Sequence, residues 1–298
     1  MNSVMRRLGI LSLSIGIAAM SSGQTNFQNN WSYSIMVGAS NMLGDLGGGS
    51  RDAQFGPLDT DIRSTRPAIG IGTSLHMNSV SLSSNLIFTR LYGDDAYSQS
   101  ASRSIRNLSA RTDLIELNLV SEIRPFYANK SLRRVYIYGG FGGIFYQPKA
   151  EFNSEWVKLR PLGTEGQLLS DNETYSKFSL VVPVGLGYKF PLGSTSTLNL
   201  DIGTRYTFTD YLDDVSTQYA DNATIAEANE DIAAILADRS GLSYPAGSMR
   251  ANPSKNDSYF FVMLKFERSI GKNSSSCYFD DVSKKSKRRI VKRQRGMF

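Results

Sequence analysis

A chain of 298 residues is long enough for one large domain or two small ones, but a mean hydropathy of −0.26 excludes a bundle of membrane helices. The 26 glycines, 15 Tyr and 15 Phe form a strand-rich composition, compatible with a membrane barrel whose strands are only half apolar. The net charge of +6 belongs to one end: residues 269–298 hold 9 Lys/Arg against 2 Asp/Glu, and the body is close to neutral. A single His and a single Cys leave little for a Cys/His zinc site or a Cys–His nucleophile pair.

The chain opens on an address. Arg6 and Arg7 precede an apolar stretch, Leu8–Met20, too short to span a bilayer, and Ser21 and Gly23 supply small residues for cleavage. Met1–Gly23 therefore reads as a secretory signal peptide, with Gln24 as the new N-terminus. No Cys follows the apolar stretch, so no lipid anchor is expected. A mature chain outside the cytoplasm argues against nucleic acid as partner of the basic end.

Period-two alternation then marks eight segments. Trp31, Tyr33, Ile35, Val37 and Ala39 make the first apolar face. Pro67–Leu75, Val80–Phe88 and Ile115–Ile123 follow, with serines, glycines, Asn85, Asn118, Glu116 and Glu122 at the alternate positions. Val135–Phe145, Phe178–Tyr188, Leu198–Phe208 and Phe260–Phe266 repeat the pattern. Each is about 9–12 residues, the length of a tilted membrane-crossing strand. The joints at Asn78, Asn129–Arg133 and Pro191–Thr195 are short, and the other four connections run to about 20–50 residues. Long and short connections in alternation predict an all-β fold: an eight-stranded antiparallel transmembrane β-barrel of the outer-membrane type, spanning 24–268. Its short turns are periplasmic, its long loops are outside, and both mature termini are periplasmic. A secreted sandwich or lipocalin-like barrel is the soluble alternative, and the regular alternation argues against it.

Eight strands leave an interior that side chains can fill. The inward set includes Glu116, Glu122, Arg124, Asp201, Arg205 and Lys265, and charges of both signs in a narrow lumen should pair into a plug rather than line a pore. A small gated channel is the alternative. Tyr136, Tyr138, Tyr146 and Tyr259 add bulk. The longest loop holds one helical pattern, Asn222–Asp238, read as a short helix serving as lid or partner-facing element.

Barrel enzymes need a nucleophile or an activated water near the outer rim, usually with a base. The one His, His76, falls at the periplasmic end of its strand and reads as a polar residue without a triad partner. Asp94 and Asp95, and Asp210, Asp213 and Asp214, cluster at loop bases without calcium-loop spacing, which favours capping over metal binding. No catalytic, metal or cofactor residue is assigned, and the chain is expected to be no enzyme. Beyond the last strand, Cys277 stands alone, as a free thiol or a bridge to another envelope protein. The run Lys284, Lys285, Lys287, Arg288, Arg289, Lys292, Arg293 and Arg295 suits an acidic protein surface or anionic lipid.

Six stretches go beyond a generic barrel: SNMLGDLGG (40–48), RNLSARTDLIE (106–116), PKAEFNSEWVKLRPLGTEGQ (148–167), FTDYLDDVSTQY (208–219), LADRS (236–240) and NPSKNDSYFF (252–261). Together they resemble the PorG family, an outer-membrane barrel component of the type IX secretion system. LRPLGTEGQ and FTDYLDDVS are the specific ones. The resemblance implies an outer-membrane location, a non-enzymatic role in protein export, and association with a periplasmic ring of PorK and PorN. The six stretches fall in loops or strand tops on the outer side, whereas that ring is periplasmic. The basic tail with Cys277 is therefore the expected contact. The alternatives are a lipid- or ligand-acting barrel and an OmpA-like structural or adhesion barrel.

Overall fold

The computed structural model describes residues 31–46, 62–77, 79–98, 100–129, 132–169, 174–193 and 195–270. The readings of the signal peptide, Cys277 and the basic tail lie outside the described residues.

Among the described residues there are nine strands: β1 (Trp31–Leu43), β2 (Arg66–Met77), β3 (Val80–Asp94), β4 (Ser109–Ile123), β5 (Val135–Phe152), β6 (Glu155–Lys158), β7 (Phe178–Pro191), β8 (Ser196–Thr207) and β9 (Ser258–Ser269). All eight alternating segments are strands, and every neighbour pair is antiparallel. Pairing of β1 with β9 and of β4 with β5 closes eight of them into a barrel. The ninth, β6, is a four-residue extension paired only to the far end of β5. It folds back through Asn153 and Ser154, whose φ values of 51° and 66° are those of a two-residue hairpin turn with both central residues left-handed.

The two faces of the wall obey the alternation. Ile71, Leu117, Phe141 and Leu180 point outward and are 59%, 58%, 67% and 67% exposed, a surface that only lipid would cover favourably. The opposite positions are buried. Tyr136 and Tyr138 lie inside over Gly187 and Gly185 of the neighbouring β7 and Gly203 of β8, where any β-carbon would strike the phenol rings. Glycine at those positions is a packing requirement, since each absent side chain makes room for a ring.

On the short-turn side, β2–β3 and β7–β8 are joined by tight turns, and the Ile270 amide bonds the Trp31 carbonyl at 2.7 Å. Both ends of the barrel thus leave from one side. On the other side β3, β4 and β5 run past the apolar belt to lengths of 15, 15 and 18 residues. Polar positions such as Arg111 and Asp113 take over there without breaking the ladder.

The long loops on that side contain α1 (Ala101–Arg106), α2 (Asn222–Asn229) and α3 (Asp231–Ala237). The single helix expected over Asn222–Asp238 is two, because Glu230 adopts a left-handed φ of 74°. The break lets α3 turn back, so that Ala233 and Ala237 close on Ile225. Asp221 starts α2 by accepting from the Thr224 amide at 3.2 Å.

Candidate functional site

The lumen holds two charged clusters, one above the other. At the short-turn end, Glu122 is the hub. It accepts from Lys189 Nζ and from Lys265 Nζ at 2.7 Å each, and from Ser83 Oγ at 3.1 Å. All three charged groups are at most 3% exposed. Glu267 takes the second share of Lys189 at 3.9 Å and accepts from Asn199 Nδ2 at 2.9 Å. Asp201 accepts from the Tyr136 hydroxyl. Arg124, also buried, stacks on Tyr127 with its guanidinium 4.7 Å from the ring centre.

Nearer the loops, Glu116 is the hub. Tyr259 donates its hydroxyl at 2.7 Å, Asn118 its amide at 2.5 Å, and Arg205 sits at 3.5 Å. Arg205 also donates to the Tyr138 hydroxyl at 3.1 Å and lies over Phe261 at 4.7 Å. Between the clusters is a cavity of about 20 Å³, touched by Glu122, Lys265, Asp201 and Arg205. That is room for a single water.

All six lumen residues selected in the sequence therefore face the interior, and they divide between these two clusters and the Arg124–Tyr127 stack. Lys189, Glu267 and His76 were missed. Each continues the inward parity of its strand by one step, Lys189 after Gly187 and Glu267 after Lys265, so the signal was there. His76, read from the sequence as a polar residue at the periplasmic end of its strand, is buried and bonded through both ring nitrogens. Its Nε2 lies 2.5 Å from Glu267 Oε1 and 2.9 Å from Ser32 Oγ, and Nδ1 meets Ser81 at 2.9 Å. Ser81 and Glu267 stand on opposite nitrogens of the ring, as the serine and acid of a triad do, but Ser81 and Ser32 are both closed off at 1% exposure, so no substrate reaches either hydroxyl in this conformation.

The other end is covered by a cross-braced cap, and the six signature stretches build much of it. Arg106 forks onto Asp95 at 2.7 and 2.8 Å and donates to the carbonyls of Arg250 and Asp45. Arg250 in turn bonds Glu165 and the Asp214 carbonyl at 2.9 Å each. Glu165 receives the Ser216 and Thr217 amides. Thr164 donates to Asp214 at 2.6 Å, and Tyr175 also donates to it. Asp213 accepts from the Leu46 amide and Asp257 from the Leu212 amide. The acidic clusters at the loop bases are thus used as capping and bracing groups, as Asp94 is in receiving the Ala96 amide. Among the described residues no three carboxylates or imidazoles converge at metal-ligand spacing.

Burial controls the charge of this cap. It raises Asp210 to about 7 and Asp214 to about 6, and it pushes Asp213 and Asp257 well above the usual carboxylate range. Asp45 and Asp210 add repulsion to the Asp213–Asp257 pair. Gly44 sits between those two: a β-carbon there would lie 2.7 Å from Asp257 Oδ1 and 3.0 Å from Asp213 Oδ2.

A closed wall, apolar outside and ion-paired inside, with tight turns at one end and braced loops at the other, defines a membrane-embedded barrel of the outer-membrane class. The chain belongs to the family described as a domain of unknown function, DUF6089, whose model matches residues 11–231. No curated protein matches the sequence. Among solved structures, Neisserial surface protein A is similar at 8% identity and a TM-score of 0.36, over 81% of this chain and 97% of that one. Ail of Yersinia pestis, solved with the heparin analogue sucrose octasulfate, gives 11% and 0.36 over 80% and 99%. A major outer membrane protein of Thermus thermophilus gives 13% and 0.36 over 80% and 99%. These are likenesses of fold alone.

Proposed function

We propose that this protein is a non-enzymatic outer-membrane anchor of the type IX protein secretion machinery, docking a PorK- and PorN-like periplasmic ring through its tail. The observation that carries the reading is a separation of labour along the chain. The barrel is filled from hub to hub by Glu122 and Glu116 and their partners, which offers no route for cargo. The excess positive charge, with Cys277, follows β9 in the sequence, and β9 ends on the side where the short turns are. A plugged barrel with a charged extension suits an anchor better than a conduit. The resemblance of the six signature stretches to PorG supplies the particular machinery. In this reading the loops face outward and both mature termini are periplasmic.

The test is to purify the protein from detergent-solubilised envelopes, as the full chain and as a chain stopped after Arg268, and to identify what accompanies each. Ring proteins are expected with the full chain and not with the truncation. Unimpaired export of type IX cargo in cells lacking the protein would refute the role.

A further inference from the structure

The outer wall carries a charged face that neither the plug nor the cap uses. On β3, β4 and β5 the outward positions can be followed row by row through the register. Phe88, Ile115, Phe145 and Phe178 are ladder partners and form the last apolar row. One outward step toward the cap, about 7 Å along the strand, the row reads Arg90, Asp113, Gln147. The next reads Tyr92, Arg111, Lys149, Lys158.

Three cations directly opposite one another in a ladder repel, and like charges so placed cost stability. The local compensation is meagre. Asp113 accepts from Arg90 Nε at 2.9 Å and from Lys149 Nζ at 2.6 Å, so one carboxylate serves two cations. Among the described residues Arg111 and Lys158 form no ion pair. Arg111 instead lies flat on Trp156, 3.9 Å from the ring centre, which holds its guanidinium against the wall. The next outward residue on β5, Glu151, is opposite Trp156 rather than a cation. Four cations thus face one carboxylate in two rows, immediately above the hydrocarbon belt. Headgroups occupy that layer.

We infer that this face binds the phosphate of a phosphorylated glycolipid headgroup in the outer leaflet, with Arg111, Lys149 and Lys158 as its ligands. Charge complementarity selects an anion, and the apolar row directly below supplies the seat for its acyl chains. The inference rests on the orientation in the proposed function, loops outward, and on nothing else in that proposal.

The experiment uses the folded full-length chain in detergent micelles, where orientation plays no part. The probes are diphosphorylated lipid A and the same lipid stripped of phosphate, with binding read by native mass spectrometry. The wild type is expected to prefer the phosphorylated form. R111Q/K149Q/K158Q should bind it roughly a hundredfold more weakly, three basic side chains being removed from the headgroup layer. A charge-matched control at the opposite rim, R133Q/R134Q/R268Q, should bind as the wild type does. R111Q/K158Q touches no ion pair and serves if the triple variant does not fold; it should still lose most of the preference. Equal binding of both lipids, equal loss in the control, or full retention in the site variants would overturn the inference. So would displacement of the lipid by inorganic phosphate, which would mark a site for the free ion. Failure here leaves the ring pull-down unaffected, and failure there leaves this binding assay unaffected.

Discussion

Replacing Glu122 by Gln keeps the shape of the lower hub and removes its charge. Glu122 is 3% exposed and holds two ammonium groups at 2.7 Å each. Without it, Lys189 still has the Glu267 carboxylate at 3.9 Å, and Lys265 loses its ion pair. Removing one partner of a buried pair leaves uncompensated charge and costs about 3–5 kcal/mol. Were the lumen wet, the same change would cost about 0–1 kcal/mol, as for exposed pairs. The two cases are separable by urea unfolding of the full chain in lipid vesicles, followed by the gel shift between folded and heat-unfolded barrel. A second variant sharpens the test. In E122Q/K265M the ammonium left without its ion pair is removed as well, and about 2 kcal/mol should return relative to E122Q alone. A loss below about 1 kcal/mol in E122Q, or a double variant no better than the single, would refute a dry, ion-paired plug.

Three other expectations follow from the geometry. The folded protein in a planar bilayer should conduct no more than lipid alone, because the ion-paired hubs fill the lumen and the space between them is only about 20 Å³. G44A should loosen the cap and spare the barrel, since its β-carbon would fall 2.7 Å from Asp257 and 3.0 Å from Asp213; limited proteolysis should cut the loops while the gel shift persists. The cap should also be firmer in acid. Asp210 and Asp214, raised to about 7 and about 6, bind protons more tightly folded than unfolded, so their contribution is present at low pH and is lost as pH rises from about 4 through those values. Hydrogen-exchange protection factors in residues 210–257, with the intrinsic pH dependence of exchange divided out, should be higher at pH 5 than at pH 8, with a smaller difference in D210N; equal protection factors would count against protonated carboxyl groups in the cap.

The wall was legible because membrane strands write their two faces into alternate residues, and Ile71 or Leu117 needs no tertiary partner to be assigned. The lumen was legible in part for the same reason. Glu116 and Glu122 interrupt apolar strands, whereas Lys189 and Glu267 each lie one residue past the segment read as strand, Phe178–Tyr188 and Phe260–Phe266, and were left out although their parity is inward. The cap was not legible as a unit. Arg250 finds Glu165 across 85 residues, and Arg106 finds the Asp45 carbonyl across 61. Spacing along the chain carries no information about such meetings, and the aspartates appeared as separate loop-base clusters. The outer cationic face was hidden for a third reason. It depends on the register of β4, β5 and β6, and a four-residue strand such as β6 is too short to show alternation.

The seam where the barrel closes has a mechanical meaning. β9 is bonded along its length to β1 on one side, from Ser32 opposite Ser269 to Leu43 opposite Ser258, and to β8 on the other. A pull on whatever follows Ile270, directed along the strand, loads both ladders in shear. Every bond then shares the force, and none can be peeled first. The Ile270–Trp31 bond ties the point of attachment to the opposite end of the chain, so tension entering at one terminus is passed to the first strand before it can open the ring. A barrel that closes on its last strand is thereby a strong place from which to hold a moving partner.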